Sequence, residues 1–284
     1  MFFQLVKLYS KLYEFIHDNF HINIRGLGFL ISKISKDNVI NMRDGSTMYF
    51  SSKISLSYPI IINGKWGEKE THSFVNNIID SDTIFIDIGA NIGEMVNDFS
   101  QKASQCFAFE PSLECFRVLQ INKIINKQEN TIIENIALSD SCGEVYLIND
   151  GTPQASISDQ KSENSNPVKR QTVDLYFESF IQDFINKTVI VLVDVEGHEV
   201  NVLNGGLRFI DQIKPIIIFE FNTISRGYFS LDEVEKLLPN DYELFRLNGK
   251  GKLDKNFNKT WNCVAVPSIH RTKVCGEITE AGMI

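Results

Sequence analysis

The order of apolar and polar residues divides the chain into alternating strands and helices. Three runs are almost continuously apolar, at residues 83–88, 189–194 and 216–221. Such runs are typical of strands in a parallel sheet whose two faces are both covered by helices. Further strands are predicted at 106–110, 131–136, 241–247 and 261–266, and helices from about 92 and at 113–126, 174–186, 199–210 and 231–238. The pattern predicts a doubly wound α/β sheet closed by an antiparallel hairpin at one edge.

Two further elements are predicted ahead of this sheet. Residues 2–16 carry an apolar stripe at helical spacing, and an Asp-Gly turn between strand-prone flanks predicts a hairpin at residues 39–50. Packing of the stripe on its own domain is the simplest outcome, a homodimer through this helix is a second, and contact with a membrane surface is a third. The small polar residues at 149–167 predict a loop.

These elements group into three predicted regions. An N-terminal helix and hairpin extension covers residues 1–70, the α/β domain covers 71–267, and the tail at 268–284 has no clear periodicity and is a candidate for disorder. One main domain is expected, because 284 residues can bury one substantial core.

Composition narrows the class of protein. The formal net charge of −8 disfavours a nucleic-acid partner, since the basic field that gathers phosphates is missing. The five cysteines form no CxxC pair, which argues against structural zinc and against a disulfide framework. No apolar run is long enough for a transmembrane helix, and polar residues interrupt the N-terminus where a signal peptide would be apolar. We therefore expect a soluble protein of the reducing cytoplasm.

The segment Thr83–Gly93 carries the clearest chemical signal. It reads as a buried strand, a glycine turn and the start of a helix, and a second strand then ends in Glu110. Gly89 suits a tight turn, Gly93 allows the helix to pack closely, and Glu110 is spaced to reach both hydroxyls of a ribose. The segment therefore predicts a site for a nucleoside cofactor.

The residues inside this turn discriminate between cofactors. A dinucleotide fingerprint has glycine at its third and sixth positions, where this chain has Asn91 and Glu94. A carboxylate beside a pyrophosphate would repel it, so a dehydrogenase is disfavoured. Asp87 and Glu94 instead suit a cofactor with an ammonium group and no phosphate, which describes S-adenosylmethionine.

Ionisable residues cluster after the strand at 189–194. Asp194, Glu196, His198 and Glu199 fall within six positions, at the sheet edge where ligands bind in open α/β folds. Methyl transfer to a hydroxyl requires a base, and carboxylates and imidazole can both serve. His198 has the most suitable ordinary pKa and Asp194 lies earliest on the strand, so both remain candidates. Helix capping accounts for one or two of the acids, but not readily for the whole group.

The neighbouring strand brings Glu220 and Asn222 to the same edge. With Asp194 they offer three oxygen ligands of the kind that a hard divalent cation takes, and such a metal could replace the base. The favoured alternative is that Glu220 accepts hydrogen bonds that orient the substrate or His198. The sequence therefore gives no firm metal ligand.

Together these motifs resemble the FkbM-type S-adenosylmethionine-dependent methyltransferases. The resemblance runs from about Val39 to Asn222, and less distinctly to Val266, and its distinctive part is the acidic run at 194–199. It rests on the segments Phe85–Gly93, Phe109–Ser112, Asn135–Asp140 and Asp194–Val200. The fold implied is the class I methyltransferase architecture, a Rossmann-like seven-stranded sheet with helices on both faces and one antiparallel strand.

The resemblance also implies an activity and a set of site residues. Members of the family methylate hydroxyl oxygens of sugars or polyketides, so a surface glycan or lipid-linked oligosaccharide is the expected acceptor. A polyketide hydroxyl and a non-catalytic cofactor-binding scaffold are the alternatives. The candidate cofactor-binding residues are Asp87, Gly89, Ala90, Asn91, Gly93, Glu110, Pro111, Ser112 and, beside the adenine, Ala137. The candidate catalytic residues are Asp194, Glu196, His198 and Glu220.

Overall fold

The computed structural model describes residues 38–42, 45–51, 54, 68–148, 156–161, 165–222, 225–257 and 262–275. The predicted helix at 2–16 lies outside these residues. The strands are β1 (Asn38–Asn41), β2 (Thr47–Phe50), β3 (Thr83–Ile88), β4 (Gln105–Phe109), β5 (Thr131–Glu134), β6 (Ala137–Ser139), β7 (Gly143–Ile148), β8 (Ser156–Ser158), β9 (Asn166–Thr172), β10 (Thr188–Val193), β11 (Ile216–Glu220), β12 (Tyr242–Leu247), β13 (Leu253–Asp254) and β14 (Asn262–Pro267). The helices are α1 (Lys69–Ile78), α2 (Glu94–Phe99), α3 (Leu113–Ile125), α4 (Val173–Phe177), α5 (Ile181–Phe184), α6 (Glu199–Asn204), α7 (Leu207–Ile213), α8 (Leu231–Leu237) and α9 (Arg271–Cys275).

The central sheet has the strand order β5-β4-β3-β10-β11-β14-β12-β13. The first five of these strands are mutually parallel, and β14 is antiparallel to both of its neighbours. This confirms the predicted α/β fold, with the two-residue strand β13 added to the seven expected strands. The predicted antiparallel hairpin at one edge of the sheet is confirmed by the pairing of β12 with β14, in which β14 is the inner strand, between β11 and β12. All six residues of β14 are buried, which suits an interior strand.

Successive side chains along a strand point to opposite faces of the sheet, and each face packs in its own hydrophobic core. On β3, Ile84, Ile86 and Ile88 pack with residues of α4 to α8, whereas Phe85 packs with residues of α1 to α3. Asp87 shares the face of Phe85, because side chains two positions apart on a strand point the same way. The first predicted cofactor acid therefore lies on the side of the sheet that α1 covers.

Helix α1 was not predicted, and one predicted helix is divided. The region predicted as one helix at 199–210 forms α6 and α7, separated at Gly205 and Gly206. A Cβ atom at Gly205 would lie 1.9 Å from the carbonyl oxygen of Ser139. The interruption therefore permits a close backbone contact between this helix pair and β6. The predicted helix at 174–186 is likewise divided into α4 and α5.

A second sheet of four strands has the order β6-β9-β7-β8. The prediction of a loop from Asn149 to Pro167 was wrong where β8 and the start of β9 form. Their sequences are polar, but β8 pairs with β7 through main-chain hydrogen bonds, which do not require apolar side chains. This sheet stands beside α6, where Asn201 Nδ2 donates to Asp140 Oδ2 at 2.9 Å.

The predicted N-terminal hairpin is confirmed by the antiparallel pairing of β1 with β2. Its turn includes Gly45, whose φ is +89°, while Arg43 and Asp44 lie outside the described residues. Asn122 of α3 and Asn126, the residue that follows this helix, exchange hydrogen bonds with the main chain of β2. The hairpin is thereby fixed to the helix that follows the predicted ribose-binding acid.

The predicted tail begins at Ser268, directly after strand β14, and its first eight residues are helical. Residues Ser268–His270 form a 3₁₀ turn and α9 follows it. Within the described residues, every helix is too short or too polar to cross a bilayer.

Candidate active site

The turn after β3 lies against the carboxyl end of β10. The N–H groups of Gly89 and Ala90 both donate to the carbonyl of Phe109, at 3.0 Å. Gly89 has a φ of +95°, and a Cβ atom there would lie 1.8 Å from the carbonyl oxygen of Asp194. Glycine is therefore required both by the backbone conformation and by the contact. The two motifs that the sequence places a hundred residues apart are in direct contact.

The end of the same turn sets the position of α2. Asn91 and Gly93 both have positive φ values, of 50° and 86°. A Cβ atom at Gly93 would lie 2.5 Å from Cδ1 of Leu119 on α3. Gly93 therefore allows α2 and α3 to pack closely, as the sequence predicts.

Glu110 is held by main-chain donors from two motifs. Its Oε2 accepts from the N–H of Asn91 and its Oε1 accepts from the N–H of Ser112, both at 2.7 Å. Ser112 also caps α3, since its Oγ accepts from the N–H of Cys115. Asn135 Nδ2 donates to the carbonyls of Glu110 and Pro111. The predicted residues 110–112 thus form one rigid segment beside the turn.

Ala137 has different surroundings from the other predicted cofactor residues. It is 4% exposed and packs in a small core with Val145, Leu147 and Val168 of the second sheet. The adenine-side role of Ala137 stays a prediction, and the described contacts of its side chain are to the second sheet.

Acidic groups surround Asp87 from several elements. Burial, followed by the neighbouring carboxylates of Glu68, Glu110 and Glu94, raises the pKa of Asp87 well above its ordinary value. Glu68 precedes α1, and its Oε2 accepts from Asn262 Nδ2 at 2.9 Å. A cationic ligand group would be stabilised here by several negative charges at once.

His72 on α1 is a cation within this acidic region. Its Nδ1 lies 2.9 Å from Asp98 Oδ2, and its Nε2 lies 3.8 Å from Glu94 Oε1. Burial alone would lower its pKa, but Asp98 and Glu94 raise the pKa of His72 to about 9. His72 is therefore protonated at neutral pH and offsets part of the negative charge around Asp87.

Sequence reasoning missed both Glu68 and His72. Glu68 immediately precedes α1, and His72 is in the first turn of that helix. Both lie ahead of the strand predicted at 83–88, in a region without a glycine motif. The available signal was the helical spacing of the buried residues of α1, which places His72 in the same stripe as Phe74, Val75 and Ile78.

We expect the replacement His72→Gln to destabilise the protein in a pH-dependent manner. The pKa of His72 is raised from 6.5 to about 9 on folding, so its stabilising contribution is complete below pH 6.5 and disappears as the pH rises through 9. Relative to wild type, the variant should lose about 1–3 kcal/mol of unfolding free energy in mildly acidic solution and little in alkaline solution. Urea unfolding across this range measures the difference.

His270→Gln is the control for this measurement. Burial lowers the pKa of His270, so its contribution does not change between pH 6.5 and 9. A His72→Gln effect that stays constant across this range would contradict the protonated state assigned to His72.

Three predicted catalytic acids meet at the carboxyl edge of the sheet. Asp194, Glu196 and Glu220 each have a carboxylate oxygen within 4.8 Å of the others. We call these three residues the acid triad. Glu220 is 8% exposed, and Asp194 and Glu196 are half-buried. The β10–β11 pairing is parallel, which brings the ends of both strands to one edge.

Burial and mutual repulsion act on the whole acid triad. Burial, followed by Glu68 and Glu220, raises the pKa of Asp194 well above its ordinary value. Burial, followed by Glu199, raises the pKa of Glu196 to about 7. Burial, followed by Glu196, raises the pKa of Glu220 to about 8. Such shifts are typical of sites where carboxylates act on protons or bind cations.

Asn222 positions Glu220 and does not supply a free oxygen. Its Nδ2 donates to Glu220 Oε1 at 2.6 Å, and its Oδ1 accepts from the N–H and the hydroxyl of Ser225. The third oxygen near Asp194 and Glu220 therefore comes from Glu196, not from Asn222 as the sequence suggested.

The turn that presents Glu196 is held by Glu199. Glu199 is fully buried, and its Oε1 accepts from the N–H groups of Val195 and Gly197. Glu196 has a φ of +53°, an uncommon conformation for a residue with a side chain. This fixed turn directs the chain so that Glu196 joins the acid triad.

His198 lies on the side of the second sheet. Its Nε2 is 2.9 Å from Ser139 Oγ, and the charged groups that act on it are Asp140, Arg170 and Asp159. Burial lowers the pKa of His198 below its ordinary value. The predicted pairing of His198 with Glu220 is not among its described contacts, and a role as base stays a prediction.

A family model described as the methyltransferase FkbM domain matches residues 87–247, more than half of the chain. The chain belongs to the FkbM methyltransferase family. The FkbM match begins at Asp87 and includes the glycine turn, Glu110 and the acid triad. Glu68 and His72 lie before its first residue.

A relative and two solved structures give further comparisons. The hexuronic acid methyltransferase AglP of Haloferax volcanii is 30% identical over 155 residues, which cover 54% of this FkbM chain and 62% of AglP, less than two thirds of its length. The crystal structure of an FkbM methyltransferase from Methylobacillus flagellatus KT is 16% identical with a TM-score of 0.45, covering 72% of this chain and 51% of that one. The crystal structure of an rRNA methylase from Streptococcus thermophilus is 12% identical with a TM-score of 0.39, and the match covers 69% of this chain and 92% of that one.

Proposed function

We propose that this FkbM protein transfers a methyl group from S-adenosylmethionine to a hydroxyl oxygen of a sugar in a glycan or lipid-linked oligosaccharide. The observation that carries the proposal is the direct contact between the glycine turn and the carboxyl end of β10, where the acid triad begins. A cofactor turn and a group of proton-accepting carboxylates thereby share one edge of the sheet.

The residues around the turn fit the cofactor. Glu68, Asp87 and Glu94 supply negative charge suited to its ammonium group. Both oxygens of Glu110 accept main-chain hydrogen bonds, and because a carboxylate oxygen can accept more than one hydrogen bond, Glu110 can also accept from a ribose hydroxyl. Because Gly89 has no Cβ atom, the main chain of the turn can lie in contact with the carboxyl end of β10.

The acid triad supplies the base for the reaction. Bound S-adenosylmethionine would supply the methyl group and leave as S-adenosylhomocysteine, and a carboxylate of the acid triad would take the proton that the acceptor hydroxyl releases. Asp194 and Glu196 are the candidates, since both belong to the acid triad and their pKa values are raised toward the range of an effective base.

The choice of a sugar is supported by the relative from Haloferax volcanii, whose name gives hexuronic acid as its acceptor. The test is to incubate the full chain with S-adenosylmethionine carrying a labelled methyl group and with oligosaccharides that end in hexuronic acid or in a neutral hexose. We expect label in the sugar as a methyl ether, which resists mild alkali. Label released by mild alkali would indicate a methyl ester and overturn the hydroxyl assignment, and absence of label from every sugar would overturn the sugar assignment.

We expect the replacement Glu110→Gln to weaken cofactor binding. The substitution replaces one of the two acceptor oxygens by an NH2 group, so one main-chain hydrogen bond and the charged acceptor for the proposed ribose contact are lost. A charged hydrogen bond contributes about 1.5–3 kcal/mol, so the dissociation constant of S-adenosylhomocysteine should rise about 10- to 100-fold by calorimetry. Glu114→Gln, an exposed acid in the first turn of α3, is the control. An unchanged dissociation constant for Glu110→Gln would remove the ribose role.

A further inference from the structure

The carboxylates of the acid triad are spaced as ligands of one ion. A carboxylate oxygen from each of Asp194, Glu196 and Glu220 lies within 4.8 Å of the other two. Oxygen ligands lie about 2.0–2.1 Å from Mg²⁺ and about 2.3–2.6 Å from Ca²⁺, so two ligands of one ion are at most about 4.2 Å apart for Mg²⁺ and about 5.2 Å apart for Ca²⁺, and a small inward movement of the side chains suits the smaller ion. One cation placed among the three side chains can therefore contact all of them with little rearrangement.

No protein cation balances these charges within the described residues. The ion pairs found there all involve other acids, and the side chains of Asp194 and Glu196 have no hydrogen-bond donor in this part of the chain. Ionisation of three carboxylates this close together is unfavourable in a partly buried place unless a positive charge lies between them. Their retention at one edge is explained if a cation occupies the space between them.

Glu220 supplies a second and independent indication of a ligand. It is 8% exposed, and its Oε2 is buried without a hydrogen-bond partner among the described residues. Its other oxygen is held by Asn222, which fixes the carboxylate in place. A buried carboxylate oxygen without a partner is costly, and most such atoms in folded proteins are satisfied. Glu220, one of the three converging acids, is therefore a fixed carboxylate with one buried oxygen that lacks a partner among the described residues.

The chemistry of the ligands selects the class of ion. All three are carboxylates, with no cysteine or histidine in the group. Hard divalent cations such as Mg²⁺ and Mn²⁺ prefer oxygen ligands, whereas zinc sites usually contain nitrogen or sulfur. Three protein oxygens leave positions open for water or for an oxygen of a substrate.

We propose that Asp194, Glu196 and Glu220 bind one Mg²⁺ or Mn²⁺ ion at the carboxyl edge of the central sheet. The binding itself is independent of the proposed function. The role of the ion rests on the proposed function: by binding the acceptor hydroxyl, it lowers the pKa of that hydroxyl and holds the oxygen in place. Each acid offers one ligand oxygen to the ion, so the hydroxyl proton passes to the second carboxylate oxygen of Asp194 or Glu196. The sequence favoured a metal-free role for Glu220, and the position of Glu196 together with the fixed Glu220 reverses that preference.

The test measures Mn²⁺ binding to the full chain after dialysis against a chelator, with neither cofactor nor acceptor present. We expect wild type to bind one Mn²⁺ per chain by calorimetry, with Mg²⁺ as competitor. Glu220→Gln and Glu196→Gln should each weaken binding at least about 10-fold, and Glu235→Gln on the exposed face of α8 should leave it unchanged. Circular dichroism verifies that each variant is folded.

Two outcomes overturn the proposal: wild type that binds no Mn²⁺ at millimolar concentration, and binding that is equal in wild type and both acid-triad variants. Because no methyl donor or acceptor is present, the result is separate from the proposed function. A chain that binds Mn²⁺ but transfers no methyl group keeps the site and loses the function. A chain that binds no Mn²⁺ and transfers methyl at its full rate after chelation keeps the function and loses the site.

Discussion

Replacement of Asp194 by asparagine is expected to reduce kcat/KM for methyl transfer by about 10³-fold or more. The substitution keeps the shape of the side chain and removes one charge from the acid triad. Whether Asp194 takes the proton or binds the proposed cation, its carboxylate is required at the reacting edge, and a positioned base alone contributes about 10²- to 10⁴-fold. Transfer of a labelled methyl group to the sugar acceptor measures the loss.

Stability should change in the opposite direction in the same variant. Burial and neighbouring acids raise the pKa of Asp194, so its charged form opposes folding at neutral pH. Asparagine removes that cost, and we expect the unfolding free energy of Asp194→Asn to equal or exceed that of wild type. A residue that lowers stability and is required for activity is typical of a functional site.

Asp232→Asn is the matched control for this experiment. Asp232 lies exposed in the first turn of α8, so its substitution should leave the rate unchanged. Activity of Asp194→Asn within tenfold of wild type would contradict the role assigned to Asp194. Loss of S-adenosylhomocysteine binding with a preserved fold would instead make Asp194 a cofactor ligand.

Replacement of Gly89 by alanine is expected to prevent folding or to cost about 4 kcal/mol or more of unfolding free energy. The new Cβ atom would lie 1.8 Å from the carbonyl oxygen of Asp194 and 2.8 Å from its carbonyl carbon. Both are main-chain atoms, so no side-chain rotation relieves the overlap, and the carboxyl ends of β3 and β10 must separate. Urea unfolding, or the yield of folded protein where none remains soluble, gives the result.

Gly45→Ala separates the two causes of this effect. Gly45 has nearly the same φ, +89° compared with +95°, but a Cβ atom there would have no neighbour within 4 Å among the described residues. Its substitution should therefore cost only the backbone strain, about 1–2 kcal/mol. The excess cost of Gly89→Ala over Gly45→Ala measures the contact with Asp194. Equal costs for the two variants would show that the contact is unimportant.

The central sheet was predictable because its strands are buried on both faces. A strand such as β10, with six buried residues in succession, leaves a continuous apolar run that a sequence shows directly. The order of the glycine turn, Glu110 and the acids after β10 follows from the same logic, since each lies directly after a strand. The second sheet was not predictable, because β8 is a short polar edge strand held by main-chain hydrogen bonds.

The candidate site, like the fold, was predictable only in part. Local sequence identified Asp194, Glu196, His198 and Glu220 as ionisable groups near one edge, because the carboxyl ends of parallel strands meet there. It could not decide which of them converge, since that depends on side-chain directions set by distant contacts. Ser139 holds His198 at the second sheet, so His198 lies apart from the other three.

The sequence alone therefore determined the α/β fold, the glycine turn and the candidate acids, because these depend on residue order and on strand and helix periodicity. Tertiary structure decided the partners: Glu196 in place of Asn222 beside Asp194 and Glu220, and Glu68 and His72 near Asp87. The physical reason is that charge interactions depend on distances of a few ångströms in space, and the elements that carry these charges are far apart in the sequence.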